Sequence, residues 1–364
     1  MILFLDEVQW IAVRRSKLIS TIKYFWDNYW KKMNVMLILC GSIASFMVKR
    51  IIHSKALYGR ITLEILLKGL LPHEAAKFFR NQRSKEEILK YLLVFGGVPR
   101  YLEEINLNRS FNQNINVLCF SKNSLMLSEM DKIFYSQFKE VEAYRKIVSV
   151  LKGTLLTFKE ISEKTGKPSG GTLKNALELL INAELVDFYI SMDKGWNSKF
   201  KKYRLGDEFL VFYFKYIEPN IRLIKAGGQT RLFEKVSLES LEVWLGFAFE
   251  RFCLKHSGYL AEIMGFKDEM LLASPYFKRG EPGFQVDLVY KRTDKVIAAC
   301  EIKYSNERIS KKIIPEMEKK CTSLEIPRGY TLERALISLY GPDEALKNSG
   351  YFNHYVTVED IIGE

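Results

Sequence analysis

No stretch of this sequence fits the phosphate-cradling pattern Gly-x-x-x-x-Gly-Lys-Ser/Thr. The segment "EKTGKPSGG" offers Gly166-Lys167, but Ile161 stands where the first glycine belongs and Pro168 where the hydroxyl belongs. Without that loop, neither a backbone cradle nor a lysine grips the β- and γ-phosphates of a nucleotide. Cysteine chemistry is equally poorly provided for. Cys40, Cys119, Cys253, Cys300 and Cys321 show no C-x-x-C spacing, and the four histidines do not gather around them. Zinc and disulfide frameworks therefore lack support, and a reduced, cytoplasmic compartment is the expectation. No apolar run reaches the ~18–20 residues of a membrane helix. The apolar "VMLILC" (Val35–Cys40) is too short for one and suits a buried parallel strand. A basic-then-apolar leader, an internal repeat and a low-complexity tract are also missing.

What is there reads as an ordinary globular chain. Its 364 residues are 48% hydrophobic and 27% charged, enough for two or three domains with ample core. The net charge of +12 favours a polyanionic partner, nucleic acid before others; DNA is the nucleic acid expected, and no membrane partner is. A lysine-rich solvated surface is the plainer explanation of the same charge.

Three regions follow one another. Residues 1–135 begin with strand 2–5, an aromatic helix near 18–32 and strand 35–40, a parallel α/β alternation. They continue as helices, including "PHEAAKFFR" and "KEEILKYLLVFGG". Gly96-Gly97 with Pro99 reads as a helix–helix turn. Residues 136–225 run helix, short helix, Gly-containing turn, helix, strand 185–191 and a return strand near 200–205, the outline of a winged helix-turn-helix; an aromatic helix is expected over 209–223. Residues 226–364 open with "SLESLEVWLGFAFERFCLKH", then strands 284–290 and 296–304, a basic helix near 310–320, and strands 334–341 and 354–358. The fold class is α/β.

Two stretches carry chemistry. In "FQVDLVYKRTDKVIAACEIKY", Glu301 and Lys303 project from one face of a strand. A hairpin symmetric about Asp294 sets Asp287 opposite Glu301. Two facing carboxylates repel unless something neutralises them. Mg²⁺ on Asp287 and Glu301 would do so and would activate a water, with Lys303 on that water or on a phosphate oxygen. A salt-bridged trio of Asp287, Lys303 and Glu301 is the other reading. The second stretch is "ILFLDEVQW", where a buried strand ends in Asp6 and Glu7. Nucleotide-hydrolysing sites use such a tip to hold Mg²⁺ and aim a water. A solvent-facing strand end reads the same way.

Residues Asp287, Glu301, Ile302 and Lys303 resemble the signature of the PD-(D/E)XK nuclease superfamily in the form of the DUF234 domain. The resemblance implies a restriction-endonuclease-like α/β domain, metal ligation by Asp287 and Glu301, and Lys303 as catalytic lysine. Glu250 in "GFAFERFC" matches a helix glutamate of that family, as a further ligand or an orienter. DUF234 domains follow archaeal-type P-loop ATPase modules (AAA+/STAND-like), and the front of the chain resembles such a module from its Walker B strand onward. On that resemblance residues 1–135 are a partial P-loop ATPase sheet with a helical lid. Asp6 would hold Mg²⁺, Glu7 would activate water, and Ser42 in "LILCGSIASFM" would sense the γ-phosphate. "LYGRI" and "GGVPRYL" also match, which makes Arg60 a candidate nucleotide-responsive arginine, with an ordinary ion pair as the other reading. ATP is expected only if separate sequence or a partner chain supplies the P-loop, the subunits then completing the site in an oligomer.

In the middle region, Ser169, Thr172, Lys174 and Asn175 line the leading polar side of the expected recognition helix and can reach bases or phosphates. Lysines over 194–202 would form a basic wing. A packing module without DNA contact fits the same outline. The enzyme expectation is thus a Mg²⁺-dependent nuclease on an ATPase-derived scaffold. The alternatives are a non-catalytic scaffold that binds nucleic acid or a partner, and a truncated ATPase remnant.

Overall fold

The computed structural model describes residues 1–12, 16–42, 47–137, 141–190, 201–278 and 284–363. It is a mixed α/β structure whose largest sheet has five strands in mixed orientation. Among the described residues, no helix is long and apolar enough to cross a membrane.

At the front, β1 (Ile2–Leu5) and β2 (Met36–Leu39) pair in parallel as a two-stranded sheet. Strand side chains alternate between faces. Leu5, Leu37 and Leu39 therefore pack with Val8, Ile22, Ile51 and Leu57 as a small separate core. The opposite face, Ile2, Phe4, Met36 and Ile38, is exposed. The expected aromatic helix is Leu18–Asn28, followed by a tight turn at Trp30–Lys32. From 61 to 71 the chain has no regular structure, and Leu63, Ile65, Leu66 and Leu67 lie exposed on it. This strap is tied down at its end, where the Leu70 N–H donates to the Gly97 carbonyl at 2.7 Å. A Cβ at Gly97 would fall 2.1 Å from the Leu70 carbonyl oxygen, so only glycine allows that approach.

The main core starts beyond the strap. Helix Lys85–Phe95 is capped by Ser84 and ends at Gly96 with φ 63°, and Pro99 then opens helix Pro99–Glu103. The helices from Ala75 to Phe134 share one continuous core with the middle and last regions, and not with β1 and β2. In the middle region, helices Val141–Val150, Phe158–Thr165 and Gly171–Asn182 pack beside a three-stranded sheet of β3 (Leu156–Thr157), β4 (Val186–Tyr189) and β5 (Lys202–Leu205), ordered β3-β5-β4. Residues 191–200, which hold most of the expected basic wing, lie outside the described residues. The aromatic run expected as one helix over 209–223 is broken. Helix Glu208–Phe212 passes into a wide π-turn, Tyr213–Ile217, then a tight turn at Glu218–Asn220 and helix Ile221–Ala226. Pro219 sits at the break and has no N–H to continue the ladder.

The large sheet runs β10-β9-β8-β7-β6, with β6 Met270–Lys278, β7 Phe284–Arg292, β8 Val296–Lys303, β9 Thr331–Ser338 and β10 His354–Val356. Strand β6 was not expected from sequence. Pro275 in its middle argues against a strand, and proline is tolerated here because β6 is the sheet edge. Helix Leu241–Lys255 covers one face, burying Trp244, Leu245, Phe249 and Phe252 against Leu288, Tyr290 and Cys300. Each of those large side chains contributes about 1.5–3 kcal/mol by leaving water. Helix Ile314–Thr322 covers the other face through Met317 and Cys321, against Val289, Ile297 and Ala299. The expected basic helix near 310–320 thus begins later, after a tight turn at Lys311–Ile313.

Candidate active site

The hairpin of β7 and β8 follows the expected symmetry from Lys291↔Ile297 to Leu288↔Cys300 and pairs no further. The reason lies on the other side of β7. There the register moves from Ser274↔Val289 to Tyr276↔Val286, so β7 spends one residue more than β6. This is a bulge, and it places Val286 and Val289 in the same core. Asp287 falls in the bulge. Its Oδ2 accepts from the Ile302 N–H at 3.4 Å, and its Oδ1 accepts from Gln285 Nε2 at 3.4 Å.

Glu301 lies one residue before that N–H, on the central strand, and is completely buried. Lys320 Nζ donates to both its oxygens, at 2.8 and 2.7 Å, and Lys303 Nζ stands 2.8 Å from Oε1. Glu316 touches both ammoniums at 3.2 Å. Burial pulls the two lysines down, but Glu301 outweighs it and holds both above the usual lysine range. Lys320 and Glu316 escaped sequence reasoning. Their signal is faint: a Glu–Lys pair spaced i,i+4 on the basic helix.

Two other acids have no such lysine clasp. The Asp287 carboxyl is pushed above its usual range by burial and then by the Glu301 charge. Glu250, from helix Leu241–Lys255, is pushed up to about 7, first by burial and then by Asp287. No hydrogen bond or ion pair holds Glu250 among the described residues. The structure therefore brings Glu250, Asp287, Glu301 and Lys303 into one electrostatic neighbourhood. Among the described residues no group of three or more His, Cys, Asp or Glu side chains is arranged to hold a metal ion. The oxygens of Glu301, expected as a ligand, already serve Lys320. Asp287 and Glu250 are the pair whose charge is least answered, and their all-oxygen donor set fits a hard divalent cation.

At the front of the chain, Asp6, Glu7 and Ser42 meet at the ends of β1 and β2. Glu7 adopts the left-handed region at φ 49°. Its Oε2 accepts from Ser42 Oγ at 2.8 Å, and Ser42 Oγ accepts in turn from Gln9 Nε2 at 3.0 Å. Asp6 Oδ1 accepts from the Glu7 N–H at 2.9 Å. Arg60 is turned elsewhere. Its Nε and Nη2 make a two-pronged pair with Asp27, both at 2.8 Å. Arg60 and then Lys23 hold the Asp27 carboxyl well below the usual range.

Ser169, Thr172, Lys174 and Asn175 are all exposed, the last three on helix Gly171–Asn182. Ser169 Oγ lies 2.9 Å from Ser162 Oγ, and Lys174 lies 3.9 Å from Glu178. Of the expected wing, Lys201 stands over the Phe188 ring at 4.3 Å and Lys202 over Phe277 at 4.0 Å.

Comparison with known proteins gives a distant relative and a domain. The uncharacterized protein MJECL04 of Methanocaldococcus jannaschii is 26% identical over 324 residues, 88% of this chain and 71% of that protein. The crystal structure of protein VC1899 from Vibrio cholerae aligns with 69% of this chain and 57% of its own, at 12% identity and a TM-score of 0.24. This chain thus spans just over half the length of that solved chain. Residues 213–314 match the family DUF234, described as archaea bacterial proteins of unknown function, and the match contains Glu250, Asp287, Glu301 and Lys303.

Proposed function

We propose that residues 226–364 form a restriction-endonuclease-like domain that hydrolyses phosphodiester bonds of DNA with the help of Mg²⁺. The observation that carries this reading is the buried Asp287 and the half-buried Glu250 whose carboxyl it raises, beside a carboxylate on the central strand that holds a lysine. Asp287 and Glu250 would hold the ion. When bound, it supplies Lewis-acid charge and a water of lowered pKa. The remaining work belongs to the chain. Lys303 is only partly covered and can turn from Glu316 to a phosphate oxygen. Glu301 keeps that ammonium charged and in place, and Lys320 fixes Glu301 in turn.

The middle region, read as a winged helix, would bring DNA to the site through Ser169, Thr172, Lys174 and Asn175. Residues 1–135, read as a partial P-loop ATPase sheet with its lid, would serve as scaffold. Asp6, Glu7 and Ser42 are then the remnant of a nucleotide site, and ATP would enter only with a P-loop from other sequence.

The test is cleavage of supercoiled, linear and single-stranded DNA and of RNA in Mg²⁺, Mn²⁺ or EDTA. Asp287→Ala, Glu250→Gln and Lys303→Ala run alongside. Metal-dependent cutting that all three variants lose supports the reading. Folded protein that cuts nothing removes it. The second reading is a scaffold that binds nucleic acid or a protein partner without cutting. It is favoured by the two lysines that already neutralise Glu301, as an ion network kept for structure would be. DNA binding undiminished by EDTA, with no cutting, would select it.

A further inference from the structure

We propose that the cleft between the β5 turn and helix Leu241–Lys255 is a binding site for a phosphate-type oxyanion, held by Arg251 and Arg204. The cleft is open, with about 310 Å³ of empty space only when the solvent at its mouth is counted, and lies where helix Lys85–Phe95, the turn after β5 and helix Leu241–Lys255 meet. Its acids are already engaged. Asp207 caps helix Glu208–Phe212 by accepting from the Leu210 N–H at 2.7 Å. Glu208 accepts from Lys255 Nζ at 2.7 Å, and that ammonium also reaches the Gly206 carbonyl at 3.4 Å.

The two arginines keep donors unspent. Arg204 is 9% exposed; one Nη bonds Asp187 at 3.0 Å, while its buried Nε has no partner among the described residues. Arg251 makes no hydrogen bond or ion pair among the described residues. Burial and then repulsion from Arg204 pull Arg251 down to about 10, with Glu250 and Glu208 acting against this only through their charge. A lysine so placed could shed its proton, but a guanidinium stays charged at neutral pH. A buried donor without a partner is costly, and a tetrahedral anion accepting from Arg204 Nε and from the half-buried Arg251 guanidinium answers both at once. The site is distinct from the acidic end of the sheet, because Glu250 and Arg251 leave their helix about 100° apart.

Inorganic phosphate is titrated calorimetrically into the full chain at ionic strength held constant with NaCl. Wild type, Arg251→Gln, Arg204→Gln and the surface control Lys347→Gln are compared. Saturable binding is expected in wild type and control, weakened about 10- to 100-fold in each arginine variant, the worth of one charge-assisted hydrogen bond. No saturable heat, or equal affinity in Arg251→Gln, overturns the proposal. In phosphate-free buffer Arg251→Gln should melt at or above wild type, since it removes the repulsion between Arg251 and Arg204. A melt far below wild type means Arg251 is a structural partner and also overturns the proposal. A 5′-phosphorylated dinucleotide and its unphosphorylated form identify the source. Tighter, Arg251-dependent binding of the former than of inorganic phosphate assigns the site to a nucleic-acid end, and equal or weaker binding assigns it to the free anion.

Discussion

Both carboxylate oxygens of Glu301 accept from a single ammonium, that of Lys320, at 2.8 and 2.7 Å. The two residues come from different layers, the central strand of the sheet and the helix laid over it. Glu301 is fully buried, and Lys320 is covered to 16% side-chain exposure. The bond thus locks the helix to the strand at the point where the chemistry is proposed.

Replacing Lys320 by Met should cost about 3 kcal/mol, because it leaves a buried carboxylate with one cation where it had two. Adding Glu301→Gln should recover part of that loss, since the uncompensated charge goes with it. Urea unfolding of the two single variants and the double variant measures the coupling. Additive losses would show that the pair is not energetically joined.

Glu250 sets a pH dependence. Its proton, released near 4.5 in the unfolded chain, stays on until about 7 in the folded one. The folded state binds more protons in that window, so stability falls as pH rises from about 4.5 to 7 and is level above. Glu250→Gln should remove this slope and stabilise the protein above pH 7 by on the order of 2 kcal/mol, discounted for partial exposure. In wild type, Mg²⁺ at tenfold its Kd should return about 1.4 kcal/mol above pH 7 and less at pH 5, where protons compete. Melting curves across pH, with and without Mg²⁺, measure both effects.

Lys174 lies on the exposed face of helix Gly171–Asn182. If that face meets a phosphate, Lys174→Gln should weaken DNA binding uniformly across sequences and flatten the slope of log K against log salt by about 1. Fluorescence anisotropy at several salt concentrations reads this. An unchanged slope would assign the face to solvent.

The ion pair of Arg60 and Asp27 fastens helix Leu18–Asn28 to the turn before the strap. Because the Asp27 pKa is depressed, its contribution is present above the unfolded carboxylate's pKa and is lost as pH falls below that value. Arg60→Gln should speed hydrogen exchange in that helix at neutral pH and leave DNA cleavage unchanged. The chain should show no micromolar affinity for Mg-ATP by calorimetry, the sequence holding no phosphate-cradling loop.

Much of the candidate site was legible because strands report their faces with a period of two. The alternation placed Glu301 and Lys303 on one face, and the hairpin symmetry about Asp294 gave the pairing from Leu288 to Lys291. The bulge at Asp287 was not legible, since it depends on how β6 runs, and Pro275 hid β6. Lys320 was hidden for another reason: its partner lies 19 residues away on a different element, and no local period links a helix to the strand beneath it. Arg251 reads in sequence as one charge on an apolar helix; only the fold sets Arg204 against it.

The strap from 61 to 71 separates two cores that share no residue. Among the described residues the front one rests on four buried side chains, Val8, Ile22, Ile51 and Leu57, too few to hold a unit of that size firmly. Heat should therefore dissolve the molecule in two steps rather than one, a small early heat absorption for residues 1–60 and a larger late one for the rest. A protease added between the two temperatures would cut at the strap and leave the part carrying Asp287 and Glu301 intact.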